Sequence, residues 1–73
     1  MSMNITAEQA EIILTGSHKF SQLGLSMMIT RLKSIYAKDA SQEVLQKCTE
    51  EINEFLRKYS SILTADYVII SKL

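Results

Sequence analysis

Apolar positions along this chain recur mostly at the three-and-four spacing of helices rather than the alternation of strands. Leu25, Met28, Ile29, Leu32, Ile35 and Tyr36 form one stripe on a helix expected from about His18 to Lys38. Leu45, Cys48, Ile52, Phe55, Tyr59 and Ile62 form a second stripe with the spacing of a coiled-coil seam. Between them, Asp39-Ala40-Ser41-Gln42 offers Asp39 and Ser41 as N-caps, because their side-chain oxygens accept orphan backbone N–H groups. The pattern therefore predicts an antiparallel helical hairpin, all-α and coiled-coil-like.

A short helix precedes it. Thr6 and Gln9 have the spacing of a reciprocal capping box after a frayed start over residues 1–4, and the helix carries Ala10, Ile12, Ile13 and Leu14 up to Gly16-Ser17. That pair either breaks or kinks the helix. After Thr64, the β-branched tail Tyr67-Val68-Ile69-Ile70 is compatible with helix, fraying or an edge strand. The helical step of Leu63, Tyr67 and Ile70 favours a continued last helix.

Composition adds a reason to look for a partner. The chain has 73 residues, 47% of them apolar, and fits a single domain over 1–73. A thin hairpin hides only part of that surface, and so small a domain is marginally stable alone. Phe20, Leu23 and Met27 lie off the hairpin stripe, so together with Tyr67, Val68 and Ile70 they are the expected partner-binding surface. Gly24, on the same side, allows a close approach or is a tolerated helix defect. Without a partner, the same surface would favour a homodimer.

Charge and candidate chemistry narrow the class. Eight basic and eight acidic residues, interspersed, argue against nucleic-acid binding. No apolar run reaches the roughly 20 residues of a membrane span, and no signal peptide is apparent, so a cytoplasmic location is expected. Cys48 on the seam reads as core filler and His18 as a solvated or capping residue. One Cys and one His do not supply an ordinary zinc site, and Glu50, Glu51 and Glu54 read as a solvated face. No catalytic residue, metal site or cofactor is expected.

Two resemblances give this reading content. Ile12-Ile13-Leu14-Thr15-Gly16-Ser17, then Leu25-Ser26-Met27-Met28-Ile29-Thr30-Arg31-Leu32-Lys33, a polar turn at Asp39 to Gln42 and a second helix resemble the small co-chaperones of type III secretion needle subunits, the YscE-like family. The likeness runs from about Ala10 to Leu63. It implies a non-enzymatic protein of the bacterial cytoplasm that pairs with a TPR-like chaperone and helps keep the needle subunit soluble and unpolymerised. A shorter stretch, Thr49-Glu50-Glu51-Ile52-Asn53-Glu54-Phe55-Leu56-Arg57-Lys58-Tyr59, is similar to the S-Q-E-L-D-x-L-I-x-x-Y signature of small sporulation aspartyl-phosphate phosphatases. Here Thr49, Glu50 and Asn53 replace the signature's Ser, Gln and Asp, and the last change removes a charge that such activity would need. A self-assembling helical protein is a third reading.

Overall fold

The computed structural model describes residues 4–36 and 41–73. They form four helices: α1 (Ala7–Thr15), α2 (Leu23–Tyr36), α3 (Gln42–Tyr59) and α4 (Thr64–Ser71), with no strand among the described residues. The fold is all-α. Its centre is the α2–α3 hairpin, whose antiparallel sense shows in the cross-helix neighbours. Gly24 lies by Phe55, whereas Arg31, further along α2, lies by Glu51, further back on α3.

The helix starts follow local chemistry. Thr6 Oγ1 accepts from Gln9 N–H at 3.1 Å, and Gln9 Oε1 accepts from Thr6 N–H at 2.9 Å, closing the expected capping box on α1. Ser41 caps α3, its hydroxyl accepting from Val44 N–H at 3.3 Å; the alternative cap, Asp39, lies outside the described residues. Gly16 ends α1 rather than kinking it. Its backbone is extended (φ −81°, ψ 173°), and its N–H donates to Ile12 C=O at 2.7 Å. A Cβ there would stand 2.7 Å from that carbonyl and 2.8 Å from the His18 ring, too close for either to stay in place.

Three expectations need correction. Helix α2 starts at Leu23, not near His18, because Phe20 is drawn into the core and the Ser21 and Gln22 N–H groups donate to the Asp66 carboxylate. The tail is helical, as its step predicts, but in a helix of its own, because α3 does not continue into it. Helix α3 ends at Tyr59, whose carbonyl accepts from both Ile62 and Leu63 N–H, and the chain turns so that Leu63 is buried and α4 returns to α1. Asn4 is not frayed either: its side-chain oxygen accepts from Arg57 Nη1 at 3.0 Å.

Helix α1 matters more to the core than its length suggests. It buries Ala10, Ile13 and Leu14 and packs on both hairpin helices, most extensively on α3. Helix α3 therefore covers a broader stripe than a two-helix seam requires: Leu45, Cys48, Ile52, Asn53 and Leu56 are all buried. Leu25, Ile29 and Leu32 meet them from α2. Met28 and Phe55 are half-buried at the edge, while the supposed seam residues Ile35 and Tyr59 are exposed. Asn53 closes the N-terminal side, its oxygen accepting from Ile5 N–H and its Nδ2 donating to Ile5 C=O at 3.1 Å.

Candidate interaction face

Near the start of α2, Leu23 and Met27 stand one turn apart on the same face, 74% and 63% exposed. Their helix borders a groove of about 320 Å³ lined by Gln22, Gly24, Phe55, Tyr59, Ile62 and Leu63. Ile62, in the turn after α3, is 60% exposed. A Cβ on Gly24 would lie 3.5 Å from the Phe55 ring, so the glycine leaves open space over that ring without being required by it.

Phe55 and Tyr59 carry the surface onward, their ring centroids 4.7 Å apart with a 40° tilt. A neighbouring cleft shares both rings with Met28 and adds Arg31, Glu51, Glu54 and Lys58. Arg31 approaches Glu51 at 3.8 Å, and the Lys58 ammonium lies 5.7 Å from the Tyr59 centroid. Both contacts are solvated and weak. The other Glu51 carboxylate oxygen is buried without a hydrogen-bond partner among the described residues. The result is an apolar groove beside a cleft that holds two charges of each sign.

The structure divides the six residues expected to bind a partner. Leu23 and Met27 are exposed on α2 but do not line the groove, to which that helix contributes Gly24. Val68 is exposed on α4 beside Ile69, outside the groove lining. Tyr67 is only partly exposed and packs against the core. Phe20 and Ile70 are corrected: both are buried core residues, because the segment before α2 folds inward and α4 docks on α1. Ile62, Phe55 and Tyr59 were hidden from sequence reasoning by their own regularity, since their spacing assigns them to the seam.

Elsewhere the chemistry is structural. Cys48 is fully buried, and that burial, reinforced by Glu51, pushes its thiol up to about 11, so at neutral pH it is a thiol rather than a nucleophilic thiolate. No three His, Cys, Asp or Glu side chains among the described residues are placed to hold a metal ion. No helix among them is long and apolar enough to cross a membrane.

Fold and face together define a small helical bundle with an exposed apolar groove. Comparison with known protein families, curated proteins and solved structures finds no match for this chain.

Proposed function

We propose that this chain is a binding protein that docks its α2–α3 groove onto a helical-repeat partner, acting as a non-enzymatic co-chaperone in the bacterial cytoplasm. The carrying observation is the exposure of Leu23 and Met27 on α2, and of Ile62 in the groove that α2 borders, in a domain that already has a core without them. An amphipathic helix of a TPR-like chaperone suits such a groove, because apolar anchors fill it while the charges of the neighbouring cleft set register. In the fuller form suggested by the sequence resemblance, the complex keeps a type III secretion needle subunit soluble and unpolymerised.

The phosphatase reading is less well supported. Asn53, at the position where that signature carries Asp, is buried and engaged with the backbone of Ile5 rather than presented to a substrate. Co-expression with a TPR-like needle chaperone and its needle subunit, followed by size-exclusion chromatography, tests the proposal. A stoichiometric complex containing the chaperone is the expected result. Elution of this chain only by itself, as monomer or homo-oligomer, would overturn it.

A further inference from the structure

Asp66 is the one fully buried charged residue among those described. It sits in the first turn of α4, but its carboxylate serves a different part of the chain. Oδ1 accepts from Ser21 N–H at 3.1 Å and from Ser21 Oγ at 2.7 Å, and Oδ2 accepts from Gln22 N–H at 2.7 Å. No described Lys, Arg or His forms an ion pair with it, so neutral donors from one short segment hold the charge. Such bonds to a carboxylate are strong, and an uncompensated buried charge is costly.

Beyond that carboxylate, the helix that carries Asp66 has a small apolar attachment. Eight residues are too few for a helix to persist unaided in water. Its N-cap, Leu63, makes no side-chain capping bond, and among the other helices α4 packs substantially only on α1. At its far end, Gln9 Nε2 donates to Ile70 C=O and Ser71 C=O, both at a long 3.4 Å. Its apolar attachment is Ile70, fully buried, with Tyr67 packed at the edge. The core formed by α1, α2 and α3, in contrast, includes most of the large buried side chains.

We propose that α4 is a strap latched by Asp66, opening as a unit while α1, α2 and α3 stay packed and thereby switching Tyr67 and Ile70 from covered to displayed. The latch adjoins the α2–α3 groove, whose lining includes Gln22 and Leu63, but it does not depend on the partner suggested for that groove. Local opening of this sort belongs to segments with few buried contacts, and it is visible in amide exchange.

Residue-resolved hydrogen exchange on the full chain, under conditions where reclosing outpaces exchange, tests it. The amides of residues 67–72 should exchange faster than the buried turns of α3. Asp66→Asn replaces one acceptor oxygen with a donor facing an N–H, and should speed exchange across 67–72 by about tenfold or more with residues 48–56 unchanged. Ser21→Ala, which removes one donor and is the milder variant should Asp66→Asn fail to fold, should give a smaller rise confined to the same segment. Equal acceleration of α3 and α4 in Ser21→Ala, or no change in either variant, would overturn the latch, as would equal protection of α3 and α4 in the unmodified chain.

Discussion

The two sides of α2 have the same kind of residue and opposite fates. Leu25, Ile29 and Leu32 are 0%, 3% and 0% exposed, sealed by α1 and α3, whereas Leu23, Met27 and Ile35 face outward, each more than half exposed. Hydrophobicity alone does not separate these sets. What separates them is whether a neighbouring helix arrives on that side. The inner side accounts for the fold, and the outer side is apolar surface that the fold does not use.

That comparison breaks most severely on the inner side. Ile52→Ala, at the fully buried centre of α3, should cost about 2–5 kcal/mol and leave the protein largely unfolded at 37 °C, as thermal melting followed by circular dichroism would show. Asn53→Ala should cost about 1–3 kcal/mol, because it strands both the N–H and the C=O of Ile5. Asn53→Leu should not recover that loss, since it also satisfies neither group. Denaturant midpoints compare the two variants directly.

The glycines sharpen the contrast at smaller scale. Gly16→Ala forces a methyl against the Ile12 carbonyl and should destabilise by about 1–3 kcal/mol, while Gly24→Ala meets only ordinary contact with Phe55 and should be neutral or gain up to about 1 kcal/mol of helix propensity. Cys48 gives a pH signature. Between its ordinary value of 9.0 and the folded value of about 11, the unfolded chain has released the thiol proton and the folded chain has not. Stability should therefore fall as pH rises through that window, and Cys48→Ala should flatten that part of the slope in urea titrations at a series of pH values. Smallest of all, Leu23→Ser and Met27→Ser should each change stability by no more than about 0.5 kcal/mol, because their side chains are already in water.

The helices and the capping chemistry were legible in the sequence because they depend on neighbours a few residues away: Thr6 with Gln9, Ser41 with Val44, and the apolar spacing of α3. What was not legible depends on contacts far apart in sequence. Asp66 reaching Ser21 and Gln22 explains why α2 starts late, and Asn53 reaching Ile5 explains why Ile5 is held against α3. Neither pairing leaves a periodic signal. The burial of Phe20 and Ile70 escapes the sequence pattern for the same reason: it follows from how α4 and the segment before α2 fold back, not from the stripe either residue belongs to. The exposure of Leu23 and Met27 is legible because α2 is long enough for its two sides to be distinguished.

The most direct test of the central claim, that the outer side of α2 recognises a partner rather than supporting the fold, is a paired measurement on Leu23→Asp and Met27→Asp. Each variant is co-expressed with a TPR-like needle chaperone and examined for complex formation by size-exclusion chromatography, and its helicity is measured alone by circular dichroism. The account predicts that the unmodified chain forms the complex, and that both variants lose it while keeping the helicity and melting behaviour of the unmodified chain. Complexes that survive both substitutions, or helicity that collapses in either variant, would contradict it.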